Sequence, residues 1–139
     1  MITTPYTVAD EAHPHCIVCG REHPFGLRLE FVAQEDGSVR AELDCPADFQ
    51  GYPGILHGGV ISSLLDGAMT HCLFARGHRA MTGELNVRFR HPVSTNSRAV
   101  LRAWIDHSAY PFFVMKANLV QAEQVMARGS GKFVGQANQ

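Results

Sequence analysis

The residues best suited to chemistry lie between positions 54 and 66. The run Gly54-Ile55-Leu56-His57-Gly58-Gly59 is followed by Asp66, nine positions after the histidine. Two glycines at the start of a helix remove side chains from the point where backbone N–H groups lack partners. With the helix dipole behind them, these donors favour negative charge, such as the charge that develops on a carbonyl oxygen under attack. We therefore interpret Gly58 and Gly59 as candidate oxyanion donors.

Asp66 is the candidate general base or nucleophile. An aspartate in a helix is most often a solvated surface residue. Here the glycine pair, and a polar line formed by Ser62, Asp66 and Thr70 at i, i+4 and i+8, raise the odds of a reactive role, but the spacing alone leaves both roles open. Asp66 stands nearly two and a half turns along the helix, about 10–13 Å from its start. Because that span is long for one substrate atom, we expect a second subunit to supply one of the two groups.

A helix from about residue 58 to residue 76 is predicted from apolar positions at i, i+3, i+4, i+7 and i+11. These positions are Ile61, Leu64, Leu65, Ala68 and Cys72. Arg76 and Gly77 supply a cationic last turn and a glycine stop.

Strands are predicted on both sides of this helix. Residues 27–32 and 39–43 alternate apolar and polar around an Asp-Gly turn, which predicts a β-hairpin. After the helix, runs near 84–90, 99–106 and 112–120 indicate three strands, and 124–134 a weaker fourth, interrupted by Gly129 and Gly131. We expect an α+β fold in which the helix covers one face of an antiparallel sheet of about six strands.

Composition indicates one globular domain. The chain has 139 residues, 45% hydrophobic and 18% charged, with a formal net charge of −1. Near-neutral charge gives no reason to expect nucleic acid or a membrane surface as partner. The start lacks the basic and apolar regions of a signal peptide, and no apolar run approaches the ~20 residues of a membrane span. A cytoplasmic location is therefore expected, with residues 1–26 as an irregular leader and residues 27–139 as the domain.

Two strings carry a family resemblance: GILHGGVISSLLDGAM at 54–69 and TGELNVRFRHPV at 82–93. They resemble the hotdog-fold thioesterase superfamily, of the phenylacetate-pathway and 4-hydroxybenzoyl-CoA thioesterase type, and the resemblance covers roughly residues 27–135. It implies a curved antiparallel sheet wrapped around one long central helix. It also implies hydrolysis of an acyl- or aryl-CoA thioester, without a cofactor, in a homo-oligomer that is a dimer or a dimer of dimers. The leader CIVCGREHPFGLRLEF resembles the opening of some members.

The resemblance also assigns roles to individual residues. Asp66 becomes the catalytic carboxylate, and Gly58, with Gly59, the source of oxyanion N–H groups. His57 becomes a residue that positions the loop. Thr82 is expected to orient water from the partner subunit.

Substrate binding is the next expectation. Some relatives carry an Asn shortly before the HGG segment, where this chain has Gln50 as the candidate substitute. Asn86, Arg88, Arg90 and His91 are the further candidates, because arginine forks can grip the phosphates of coenzyme A. The alternative for the arginines is a solvated strand face.

The four cysteines are expected to be reduced thiols or metal ligands, not a disulfide framework. Cys16 and Cys19 form one CxxC pair near His13, His15 and His23. One pair is weak evidence for a four-ligand zinc site, so no metal is expected and the leader is interpreted as a turn-forming segment.

Two other functions compete with hydrolysis. One is a hotdog hydratase or dehydratase that uses His57 as the acid/base partner of Asp66, and the glycine pair disfavours it. The other is a non-catalytic acyl-CoA-binding or regulatory module, and the sequence shows no appended DNA-binding segment that would favour it.

Overall fold

A computed structural model describes residues 12–136. The strands are β1 (Val32–Ala33), β2 (Val39–Leu43), β3 (Ala80–Phe89), β4 (Ala99–Ala109), β5 (Phe112–Gln121) and β6 (Gln124–Gly135). One long helix, α1 (Gly58–Phe74), lies between β2 and β3, after a 3₁₀ turn at Ala47–Phe49. The predicted order of two strands, a helix and four strands is confirmed.

The six strands form one antiparallel sheet in the order β1-β2-β4-β5-β6-β3. α1 packs on one face of the sheet and contacts every strand from β2 to β6. All five predicted stripe residues of α1 are buried. They meet sheet residues such as Leu101, Met115 and Leu119, which are also fully buried, so the core lies between α1 and the sheet.

The first strand, predicted over residues 27–32, is much shorter than expected. Only Val32 and Ala33 pair with β2, whereas residues 27–31 join no ladder. Arg28 has a φ of 50°, which interrupts an extended strand. The N–H groups of Leu27 and Leu29 donate instead to carbonyls of the leader, at Ile17 and Val18. The leader has therefore taken the hydrogen bonds that a neighbouring strand would have made.

The last strand, β6, runs without a break through Gly129 and Gly131, where an interruption was expected. A Cβ at Gly129 would stand 3.3 Å from Cβ of Leu65 on α1. The glycine therefore marks a close approach between the helix and the sheet, not a break in the strand.

β3 is the strand that most affects the site. It occupies one edge of the sheet, and its residues are exposed apart from the half-buried Ala80 and Val87. Three large apolar side chains are among the exposed ones: Met81, Leu85 and Phe89. None of the helices within residues 12–136 is long and apolar enough to cross a bilayer.

Candidate active site

His57 is the N-cap residue of α1. Its backbone is extended, with φ −61° and ψ 134°, and its Nδ1 accepts a 2.8 Å hydrogen bond from the Gly59 N–H. Its own N–H donates to the Phe49 carbonyl, which fixes the loop to the helix start. A side-chain acceptor at this position satisfies one of the orphan donors of the first turn. The imidazole therefore caps the start of α1 and occupies the Gly59 donor.

Gly58 keeps its donor available. No described residue accepts a hydrogen bond from its N–H, and the residue is exposed. A Cβ at this position would stand 3.6 Å from the Phe89 ring, an ordinary contact. Of the two predicted oxyanion donors, only Gly58 presents a free N–H at the positive end of the helix.

A cavity of about 670 Å³ opens beside this helix start. Its walls are mostly apolar, and they include two of the residues predicted to bind substrate, Arg90 and His91. Tyr52, Ile55, His57, Gly58, Ile61 and Phe89 also line it. A largely apolar cavity with a few polar groups at its edge suits an apolar ligand with a charged tail.

Asp66 lies on α1 facing β3. Its Oδ1 accepts a 2.7 Å hydrogen bond from the Thr82 hydroxyl, so these two predicted residues meet within one chain. That Thr82 orients water from the partner subunit stays a prediction; within the described chain its hydroxyl contacts Asp66 of the same chain. This contact forms because β3 returns beside the middle of α1.

The carboxyl group of Asp66 is half-buried, and this burial raises its pKa above the ordinary value for aspartate. The hydrogen bond from Thr82 acts in the opposite direction, because it favours the charged form. The charge of a Cys16 thiolate raises the same pKa, and His13 lowers it. A carboxylate with a raised pKa accepts a proton more readily, which suits a general base.

The Asp66 carboxylate and the His57 cavity stand apart in a single chain. Asp66 does not line that cavity, and it stands eight positions after Gly58, about 12 Å along the helix axis. Thr82 and Phe89 likewise lie toward opposite ends of β3. The described chain therefore places these two groups of candidate residues at opposite ends of β3.

The remaining predicted substrate residues separate into different places. Gln50 accepts a hydrogen bond from the Gly54 N–H at 3.1 Å, so its side chain braces the loop before His57. Asn86 and Arg88 line a second cavity of about 700 Å³, where Lys116 and Arg128 add positive charge. Asn86 and Arg88 lie on the face of β3 that points away from the core, whereas Val87 lies on the face that packs against it.

Two histidines near Asp66 make contacts that the sequence did not predict. His13 lies 3.6 Å from the Cys19 thiol and stacks edge-on against Phe74. His71 is 1% exposed, stacks on Phe31, and has no hydrogen-bond partner at either ring nitrogen within the described chain. Burial lowers the pKa of His71 to about 4, so the ring is neutral at pH 7. The sequence did not indicate a role for His71, because it lies on neither the apolar stripe of the helix nor the polar line of Ser62, Asp66 and Thr70.

Comparison with known proteins identifies the family. A family model described as the thioesterase superfamily matches residues 53–127. Acyl-coenzyme A thioesterase THEM4 of Bos taurus is 30% identical over 87 residues, which are 61% of this chain and 35% of the bovine protein. The chain therefore spans about a third of that curated relative.

Solved structures show the same fold. A crystal structure of a thioesterase superfamily protein superimposes with a TM-score of 0.82 at 27% identity, covering 86% of this chain and 63% of that one. The PaaI protein of E. coli, from the phenylacetic acid degradation operon, has a TM-score of 0.72 at 18% identity and covers 78% and 80%. A Streptococcus mutans protein bound to acetyl CoA has a TM-score of 0.72 at 17% identity and covers 78% and 88%.

The six-stranded sheet around one long helix is thus the hotdog fold that the sequence predicted. Since the family model covers more than half of its residues, this chain belongs to the thioesterase superfamily.

Proposed function

We propose that this protein hydrolyses an acyl- or aryl-CoA thioester to the free acid and coenzyme A. The observation that carries the proposal is the half-buried Asp66 carboxylate, which accepts from Thr82 and whose pKa is raised by burial. It lies on a helix whose first residue, Gly58, has an N–H that no described residue accepts. The bovine relative is an acyl-coenzyme A thioesterase, and the S. mutans structure contains acetyl CoA. Both support a CoA thioester as the substrate.

The reaction needs one base or nucleophile and one oxyanion donor. As a base, the Asp66 carboxylate removes a proton from water while the water oxygen attacks the thioester carbon. As a nucleophile, it attacks that carbon itself, and water then hydrolyses the resulting anhydride. In both routes the carbonyl oxygen becomes negative and accepts from the Gly58 N–H. The C–S bond then breaks, and the CoA thiolate leaves and gains a proton.

A second copy of the chain completes the site in this proposal. β3 is a ten-residue edge strand, no strand within residues 12–136 pairs with its outer side, and its Met81, Leu85 and Phe89 are exposed. A long exposed edge of this kind is a template for pairing with another strand. Pairing with a second β3 about a two-fold axis would cover it.

Antiparallel pairing of two β3 strands also joins the two groups of candidate residues at its opposite ends. In such a pair, the beginning of one strand lies beside the end of the other. Thr82, which holds Asp66, is near the beginning of β3, and Phe89, beside Gly58, is at its end. A pair centred between Leu85 and Asn86 therefore brings Asp66 of one subunit toward the partner's Gly58. The span that separates these groups in one chain is then no longer an obstacle.

The apolar cavity at His57 and the cavity lined by Asn86 and Arg88 bind different parts of the substrate in this proposal. The apolar cavity at His57 suits the acyl group, with Arg90 and His91 at its edge. The second cavity has three cationic residues, Arg88, Lys116 and Arg128, against one acidic residue, Asp106. This excess of positive charge suits phosphate groups, because guanidinium and ammonium groups bind phosphate oxygens. Asn86 lines the same cavity and adds a neutral polar group.

The test follows free thiol while the purified protein is incubated with short, medium and aromatic acyl-CoAs. We expect release well above blank for at least one class, and a loss of about 10²-fold or more in Asp66→Asn. Full-rate release by Asp66→Asn would overturn the role given to that residue. Binding without release from any thioester would favour a non-catalytic module, and water addition to an enoyl-CoA without thiol release would favour a hydratase.

A further inference from the structure

The segment 13–20, here called the leader loop, gathers three metal-ligating atoms. Nδ1 of His13 and the Sγ atoms of Cys16 and Cys19 all lie within 4.8 Å of one another. This cluster has no part in the proposed hydrolysis, and it adds an imidazole to the CxxC pair read from the sequence. We propose that His13, Cys16 and Cys19 bind a zinc ion.

The separations already suit tetrahedral zinc. With Zn–S of about 2.3 Å and Zn–N of about 2.05 Å, the tetrahedral angle places nitrogen and sulfur about 3.6 Å apart and two sulfurs about 3.8 Å apart. His13 Nδ1 and Cys19 Sγ are separated by 3.6 Å. The third atom, Cys16 Sγ, lies within 4.8 Å of both, an upper limit about 1 Å above the tetrahedral separations. A water molecule or a further side chain completes the tetrahedron.

The backbone holds the two thiols on one side of a tight turn. The Val18 N–H donates to Cys16 Sγ at 3.4 Å, and the Gly20 N–H donates to the Cys16 carbonyl at 2.8 Å. A Cβ at Gly20 would overlap the backbone of Pro14 and Cys16, so the turn requires glycine there. Donors aimed at a ligand sulfur orient it and stabilise its thiolate form, as outer contacts do in metal sites.

The leader loop is fixed to the body of the protein. Val18 is 5% exposed and packs over Gly67 of α1, where a Cβ would stand 2.8 Å from Val18 Cγ1. The His13 ring packs against Phe74, with ring centroids 5.0 Å apart. Cys16 and Cys19 are half-buried against the core. The three ligands are therefore held by packing before any ion arrives, which limits the entropy lost on binding.

The donor set selects the kind of metal. Two thiolates and one imidazole are soft and borderline ligands, which suit zinc and exclude magnesium or calcium. The site is also next to the proposed chemistry, since the charges of Cys16 and His13 both act on the Asp66 carboxylate. A metal here would hold the leader loop against the same helix that carries Asp66.

The test uses the full chain, purified with a tag that contains no histidine. Metal content is measured by mass spectrometry, zinc affinity by competition with a chromophoric chelator, and coordination by cobalt substitution. We expect about one zinc per chain and the thiolate-to-cobalt charge-transfer band of a tetrahedral site. Cys16→Ser and Cys19→Ser are expected to weaken zinc binding by tenfold or more, and His13→Ala to weaken it also.

Two controls separate ligation from folding. His15→Ala changes an exposed histidine outside the cluster and should leave the zinc content unchanged. Gly67→Ala alters none of the ligands but displaces Val18, so it should weaken zinc binding less than Cys16→Ser does. Thermal melts of all variants confirm that each is folded.

Two results would overturn the proposal. One is a folded wild-type chain that holds no zinc after saturation and shows no cobalt charge-transfer band. The other is a Cys16→Ser variant that binds zinc as tightly as the wild type.

Discussion

Thr82 on β3 and Asp66 on α1 are joined by a 2.7 Å hydrogen bond, although 16 residues separate them in the chain. The bond joins the beginning of the exposed edge strand to the middle of the buried helix. Any movement of β3 therefore reaches the proposed catalytic carboxylate directly. The same hydrogen bond lowers the pKa of Asp66 and so opposes the effect of burial, which alone would raise that pKa further.

Removing this hydrogen bond should change the pH dependence of the reaction. In Thr82→Val the donor is lost, so the pKa of Asp66 rises and the carboxylate forms only at higher pH. We expect the acid limb of the kcat/KM profile to move to higher pH. Thr82→Ser keeps the hydroxyl and should keep the wild-type profile. An unchanged profile in Thr82→Val would show that the bond does not control the group that limits the rate in acid.

Asp66→Asn should be more stable than the wild type while it is inactive. A carboxyl group whose folded pKa is raised contributes stability that is present below its unfolded pKa, about 3.9, and lost as pH rises through the folded pKa. At pH 7 the ionised, half-buried Asp66 is therefore a cost that a neutral amide avoids. We expect a higher Tm for Asp66→Asn at pH 7, and a smaller gain as pH falls toward 4. Asp48→Asn, at an exposed position, is the control.

Replacing His57 tests whether it positions the helix start or transfers a proton. His57→Ala removes the acceptor for the Gly59 N–H, and loss of an N-cap typically costs about 0.5–2 kcal/mol. His57→Asn supplies a strong cap and no acid or base. If His57 is a positioning residue, His57→Asn restores both Tm and most of kcat/KM. Restored Tm with activity as low as in His57→Ala would instead assign proton transfer to the imidazole.

Several of these relationships were visible in the sequence. The stripe of Ile61, Leu64 and Leu65 predicted α1, since side chains 3.6 residues apart share one helix face. The two glycines at its start predicted a helix terminus with free donors. Both inferences depend only on neighbours within a few positions of the chain.

Relationships between distant segments could not be predicted in the same way. Which of Gly58 and Gly59 keeps a free N–H depends on how the His57 ring turns, and that is set by the surrounding loop. The meeting of His13 with Cys19 depends on how the leader folds on α1. Gly129 looked like a break in a strand because the helix that presses on it is 64 residues away in the chain.

Gly58→Pro isolates the oxyanion donor. Proline is favoured at the first helical position, where its missing N–H has no helical partner, and it requires an extended residue before it. His57 is extended, and a Cβ at position 58 has room beside Phe89. We expect an unchanged Tm and a kcat lower by about 10²–10³-fold, the effect of removing one oxyanion donor. Gly58→Ala retains the N–H and should keep far more activity. Equal activity in the proline and alanine variants would remove Gly58 N–H from the mechanism.

A mixed dimer tests whether each site is built from two subunits. One chain carries Asp66→Asn and the other Gly58→Pro, each with a different tag that contains no histidine, and the heterodimer is isolated by sequential purification on both tags.

If Asp66 of one chain works with the partner's Gly58, one of the two sites in this dimer has both groups intact and the other has neither. The heterodimer should then recover about half of the wild-type rate, although both parent homodimers are nearly inactive. If the site lay within one chain, every site in the mixture would lack one group, and the heterodimer would be as inactive as its parents. Leu85→Lys, which puts a charge on the exposed edge of β3, should reduce both dimer content in light scattering and activity in parallel.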